Sequence, residues 1–187
     1  MRHCRTLALV IPAVLTMAAC GDDFGIVDWT AVPDTTLIYS ASRADLLRMP
    51  AAFDFINLVR VEIESEGAGG NWDVALIEQD GAFHLAPEAF VTGSDSRAAI
   101  ATSDVTQLED VREAPSDTAR FTRSAVPIRI GDVYVVRSRR GTCFTFNVGV
   151  RYAKLKALEV DPEAGTFRFE VVRNPNCNNR ALIPSED

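Results

Sequence analysis

The chain has 187 residues, with 26 acidic against 19 basic side chains and a formal net charge of −7. That length suits one domain able to bury a core without metal staples. The acidity argues against nucleic-acid binding, whose affinity comes mainly from neutralising phosphates.

The first twenty residues read as a lipoprotein export signal. Arg2 and Arg5 form a basic start, residues 7–15 are mostly apolar, and Met17-Ala18-Ala19-Cys20 presents small residues before a cysteine. The apolar run is too short to span a bilayer, and Gly21-Asp22-Asp23 follows it. The expectation is a cleaved signal over 1–19, lipidation at Cys20 and a tether over 20–34. Several acyl chains on Cys20 would anchor the chain durably, each buried methylene adding about 0.8 kcal/mol. Gly21 after the cysteine favours the outer membrane, so the expected address is the bacterial cell envelope. Cys4 would leave with the signal. Cys143 and Cys177 then remain as a pair in an oxidising compartment, which reads as one disulfide. No C-x-x-C pair exists and the mature chain keeps one histidine, His84, so a structural zinc is not expected.

The remaining residues, 35–187, read as a single, mainly β domain. Residues 35–40 are a β-favouring run. Ser42-Arg43-Ala44-Asp45 fits a capping box opening a short helix that Pro50 stops. Residues 58–64 alternate, with Val59, Val61 and Ile63 on one face. Gly67-Ala68-Gly69-Gly70-Asn71 is a turn; no Lys or helix follows, so it is no phosphate loop. Residues 72–78 and 82–85 form a hairpin across Gln79-Asp80-Gly81. Residues 102–113 carry Val105, Leu108 and Val111 at three-residue spacing and predict a second short helix, ended by Pro115. Strands follow at 126–130, 133–138, 144–159 and 166–173, with a tight loop at Asp161-Pro162-Glu163-Ala164-Gly165 where glycine supplies a positive φ. The predicted fold is an antiparallel sandwich or barrel with two short helices.

The chemistry-bearing residues are few. A nucleophile triad needs a base, and His84 is the only mature histidine; no G-x-S-x-G surrounds any serine. The carboxylates Asp104, Glu109, Asp110 and Glu113 fall in the predicted helix and read as solvated. Catalysis is therefore not expected. Arg137, Arg139 and Arg140 cluster at a strand end. They suit an anionic group such as a carboxylate or propionate, and equally a charged edge that discourages strand pairing. Trp29, Trp72, Tyr134 and Tyr152 read as core aromatics. Lysine is scarce: the chain has only Lys154 and Lys156.

Several motifs stand in a suggestive order. Trp72-Asp73-Val74-Ala75-Leu76 resembles the W-D-[IV]-A strand of HmuY-like lipoproteins. Leu108-Glu109-Asp110-Val111-Arg112-Glu113-Ala114-Pro115, Tyr134-Val135-Val136-Arg137, Tyr152-Ala153-Lys154-Leu155-Lys156 and Thr166-Phe167-Arg168-Phe169 are similar to that family's later segments, so the resemblance covers about residues 72–173. It implies an all-β, outer-membrane-anchored protein that captures haem between two axial side chains, histidines in some members and methionine in others. Here the mature chain holds only His84 and Met49. The resemblance therefore argues for fold and address, and haem is at most a weak expectation.

The combined expectation is a non-enzymatic envelope lipoprotein that binds a small hydrophobic or anionic ligand, with His84, Arg137, Arg139 and Arg140 as candidate contacts. The alternative is an interaction lipoprotein that docks on an envelope protein through a sheet face or edge.

Overall fold

The computed structural model describes residues 26–144 and 147–184; Cys4, the expected signal over 1–19 and Cys20 lie outside them. The described chain is mainly β, in three antiparallel sheets. Its strands are β1 (Asp34–Tyr39), β2 (Ala52–Asp54), β3 (Val59–Val61), β4 (Val74–Gln79), β5 (Ala82–Pro87) and β6 (Ala99–Thr102). They continue with β7 (Val126–Pro127), β8 (Val133–Arg137), β9 (Gly141–Phe144), β10 (Asn147–Gly149), β11 (Tyr152–Asp161) and β12 (Thr166–Arg173). Sheet 1 runs β1-β12-β11-β8-β6 and sheet 2 runs β3-β2-β4-β5-β7, while β9 and β10 form a small hairpin.

The two large sheets form a sandwich because each strand's period-two pattern buries one face between them. From sheet 1, Tyr134, Val136, Leu155, Phe167 and Phe169 point inward. Phe53, Val74, Leu76, Phe83 and Leu85 meet them from sheet 2. Phe53 packs edge-on against Phe55 and Phe169, with ring centroids 4.9 and 5.4 Å apart, a favoured geometry for aromatic pairs.

Sheet 1 is covered on its outer face as well. Val133 and Val135 of β8 and Val172 of β12 pack there with Leu108, Val111, Ala114 and Leu182. Trp29, Ala31 and Tyr152 complete that layer. Burial on both faces explains why β8 reads as a nearly continuous apolar run. On the outer face of sheet 2, Trp72 packs with Ala52 and Ala75, with Val61 and Ile63 alongside.

The turns follow the local chemistry. The β4–β5 hairpin turns on Asp80 (φ 54°) and Gly81 (φ 76°), the paired positive φ values of a type I′ turn. Between β11 and β12, the Asp161 carboxylate accepts the Glu163 and Ala164 amides, and Gly165 takes φ 66°.

The helix predictions need correction. The capping-box helix is a single 3-10 turn over Ala44–Leu46, and its cap is Arg43, with no side-chain cap bond. No helix forms over 102–113. That stretch lies across the outer face of sheet 1, and its local bonds are i→i−3 turns, Asp110 N to Gln107 O and Val111 N to Leu108 O. Leu108 and Val111 are buried because they anchor a loop to a sheet, which three-residue spacing also permits. The one α-helix described, α1 (Glu88–Thr92), was not predicted; it begins after Pro87 and stops at Gly93 in the left-handed conformation.

Some strand predictions change too. The predicted strand over 144–159 is broken among β9, β10 and β11. The one at 126–130 pairs with β5 through Val126 and Pro127, and ends where Ile128 N donates to Phe83 O. Beyond it, the Tyr134 hydroxyl donates to Pro127 O and accepts from Arg129 N, fixing the chain without a ladder. The 58–64 strand shortens to β3, since β3 is an edge and turns begin at Glu62.

Cys143 and Cys177 form a disulfide, with Cα atoms 5.7 Å apart, that fastens the β9–β10 hairpin to the C-terminal segment. Nearby, the Asn178 side chain accepts from Val150 N, and a Cβ on Gly149 would stand 2.7 Å from Cys143 Sγ. The bridge spans a sequence separation of 34. Closing a loop of that size is worth about 3–4 kcal/mol in the chain-entropy model. Replacing both cysteines by alanine should lower unfolding free energy by about that amount in urea titrations. A loss below about 1 kcal/mol would show that loop closure contributes little here.

Candidate functional site

The polar centre of the molecule is a buried triad of Asp54, Asp73 and Arg139. Asp54 ends β2, Asp73 immediately precedes β4, and Arg139 lies in the connection from β8 to β9. Arg139 binds Asp54 in a forked pair, Nη1 to Oδ1 at 2.8 Å and Nη2 to Oδ2 at 3.1 Å. Its Nη1 also stands 3.2 Å from Asp73 Oδ2. Asp73 accepts the Arg139 amide and the Phe55 amide, each at 2.6 Å. Asp54 further accepts from Ile56 N, Asn57 N and Asn57 Nδ2. The Asp73 and Asp54 side chains are 0% and 3% exposed, against 12% for Arg139. Two carboxylates around one guanidinium are tolerable there because every oxygen also receives an amide or guanidinium donor.

The pKa values follow from this geometry. Burial pushes the Asp73 carboxyl up to about 6, against the opposing pull of Arg139 and the two amides, and the Asp54 charge adds to the rise. For Asp54, burial also pushes upward, but the Arg139 and Asn57 hydrogen bonds prevail and hold it below its ordinary value.

The predicted arginine cluster is thereby divided. Arg139 is held within the triad. Arg137 lies over the Phe121 ring at 5.2 Å and donates from Nε to Arg97 O. Burial lowers its pKa, and the ring contact offers the charge a cation–π partner. Arg140 is exposed and, together with Arg139, Arg97, Glu88 and Asp95, lines a depression of about 390 Å³. Arg137 is directed elsewhere, while Arg139 and Arg140 border the same depression.

His84 lies in β5, opposite Ile77 on one side and Pro127 on the other, and its Nδ1 is 3.0 Å from Ala82 O. Its strand neighbours Phe83 and Leu85 face the interior, so His84 belongs to the outer face of sheet 2. Met49 sits in the turn after residues 44–46, ahead of β2, which β4 separates from β5. The two side chains with axial-donor chemistry are thus carried by separate elements. No group of three or more potential metal ligands occurs among the described residues.

Three features went unseen in the sequence. Asp54 and Asp73 are single acids inside apolar text, Phe53-Asp54-Phe55 and Trp72-Asp73-Val74, and that isolation was the available signal of a buried charge. Lys154 is a buried cation, only 2% exposed, and its Nζ donates to Val111 O at 2.9 Å. Lys156, two residues on, donates to Gln107 Oε1 at 3.0 Å. Both lysines of the chain thus leave one face of β11 and fasten the same loop. An unbranched stem can pass between Val135 and Val172, the cross-strand neighbours of Lys154. The third feature is a groove between the N- and C-terminal segments, lined by Ile26, Arg112, Asn176, Asn179, Ala181 and Ile183. Asn176 bonds both backbone groups of Val27 across it.

No family model matches the chain, and no curated protein matches its sequence. The functional reading therefore rests on the residues and their geometry.

The triad makes a titration prediction. Asp73 should be seen by carboxyl NMR to titrate near 6, not near its ordinary value of 3.8. Because its folded pKa is raised, the stability tied to its proton is complete below the ordinary value and is lost as pH rises through about 6. Arg139→Gln removes the attracting cation, so the midpoint should move upward. Asp73→Asn turns an NH₂ group towards an amide donor and takes from Arg139 one of its two carboxylate partners, and should destabilise by about 3 kcal/mol in urea titrations.

Proposed function

We propose that this chain is an exported, lipid-anchored and non-enzymatic binding module of the bacterial cell envelope, held at the outer membrane through Cys20. The carrying observation is the Cys143–Cys177 disulfide in a chain whose first twenty residues have the pattern of a lipoprotein signal. Disulfides persist in exported proteins and are rare where glutathione keeps thiols reduced. The antiparallel sandwich agrees with the all-β fold that the HmuY-like resemblance implies. Three of its quoted motifs fall on or beside β8, β11 and β12.

A ligand-binding role is preferred to docking through a sheet edge. The edges of sheet 2 are β3, three residues long with exposed Arg60 and with Glu62 and Glu64 following, and β7, two residues long and ending in Pro127. Short, charged edges are how proteins discourage strand addition. A small hydrophobic or anionic molecule suits the polar and apolar groups of the outer layer better. Haem is a poor candidate, because tight six-coordinate binding needs two axial donors brought together, and His84 and Met49 stand on separate elements.

In the native host, Cys20→Ala should accumulate as unprocessed precursor and incorporate no labelled palmitate. Undiminished labelling would overturn the anchoring. Equimolar haem added to the purified protein should give no sharp low-spin Soret band. Should one appear, its loss in His84→Ala would identify the ligand and reinstate haem.

A further inference from the structure

The outer face of sheet 1 contains a buried cation without a carboxylate in contact. Lys154 is 2% exposed, and the described polar partner of its ammonium is the Val111 carbonyl. An ammonium has three donors, so one carbonyl leaves two unspent. Among the described residues no salt bridge reaches it; the ion pairs all belong to arginines. Glu109 acts on it only at longer range, and burial lowers its pKa. An isolated buried charge is strongly unfavourable unless a counter-charge or further hydrogen bonds complete it.

A small cavity adjoins this cation. It measures about 150 Å³, and Lys154 lines it with Ala31, Pro33, Leu108, Val172 and Ile183. The wall is thus largely aliphatic, contributed by β11, β12, the 103–114 loop and both terminal segments. Glu109 and Glu170 also line it. Their charges oppose a polyanion, while a single negative charge placed on Lys154 gains more by close pairing than it loses at longer range.

We infer that this cavity binds a short aliphatic monocarboxylate, its carboxylate pairing with Lys154 and its chain lying against Leu108, Val172 and Ile183. The volume admits roughly five methylene groups at the size of buried aliphatic packing. The inference rests on the reading of the domain as a binding module and gives that module a ligand class.

The test uses the full-length protein, purified from membranes in a non-ionic detergent. The chain has only two lysines, so labelling lysine at Cε with ¹³C yields two side-chain resonances, and Lys154→Met assigns them. Hexanoate should shift the Lys154 resonance saturably, and hexanamide, of the same shape without charge, should bind at least about tenfold more weakly. Glu109→Gln should tighten hexanoate binding by removing a repelling charge. Ala31→Trp fills the cavity from the N-terminal segment while leaving both lysines in the sequence, and should abolish binding even if Lys154→Met proves unstable. Absence of saturable shifts in the wild type, equal binding of hexanamide, or unchanged binding in Ala31→Trp would each overturn the inference. None of these outcomes bears on palmitate labelling of Cys20, so the site and the anchoring fail separately.

Discussion

A buried carboxylate that must find donors on both sides of the sandwich is the constraint on which this fold turns. Asp73 is fully enclosed, and its oxygens are met by the Phe55 amide of sheet 2 and by the Arg139 amide beyond β8 of sheet 1. The sheets can slide against each other only by stripping those donors. Hydrophobic burial supplies most of the favourable free energy of such a sandwich, but it is not directional. The triad adds direction: it selects one register of β2 and β4 against the β8–β9 connection. The guanidinium of Arg139 is suited to this, since its planar fork meets Asp54 with two parallel bonds and still reaches Asp73.

The second organising fact is that sheet 1 has two apolar faces and sheet 2 supplies cover for only one. The other is roofed by pieces without regular structure: the 103–114 loop, the residues leading into β1 and the C-terminal segment. Such a roof packs less continuously than a helix would, and its seams are where the depressions occur. Each roof piece is tacked by polar bonds. Lys154 and Lys156 hold the loop, Asn176 holds Val27, and the disulfide holds the C-terminal segment to the β9–β10 hairpin. Several of the groups that secure the roof, Lys154, Asn176 and Cys177, also line its depressions.

Long, clearly alternating strands were legible from residues alone. Phe167, Phe169 and Val171 face the interior as their spacing requires, and the Asp80-Gly81 hairpin forms with the dihedrals its residues favour. What failed was of another kind. β2 and β6 were missed because Ala52-Phe53-Asp54 and Ala99-Ile100-Ala101-Thr102 are too short or too alanine-rich to show a period. The helix expected over 102–113 was an amphipathic pattern satisfied by a sheet surface, since three-residue spacing does not distinguish a helix from a loop that touches down repeatedly. The arginine cluster was visible as charge, but its partners, Asp54, Asp73 and Phe121, lie far off in the chain, and no local signal pairs them.

The sequence by itself determined the mainly β class of the fold, the β4–β5 and β11–β12 hairpins and the pairing of Cys143 with Cys177. Those depend on side-chain period, turn chemistry and a count of thiols, all local or combinatorial properties. The tertiary structure alone decided which charges are buried. Whether Arg139 is a ligand contact or an internal clamp, and whether Lys154 is a wet strand residue or an enclosed ammonium, depends on what packs over each. Desolvation is set by neighbours distant in sequence, so it is invisible until the chain has closed around the ion.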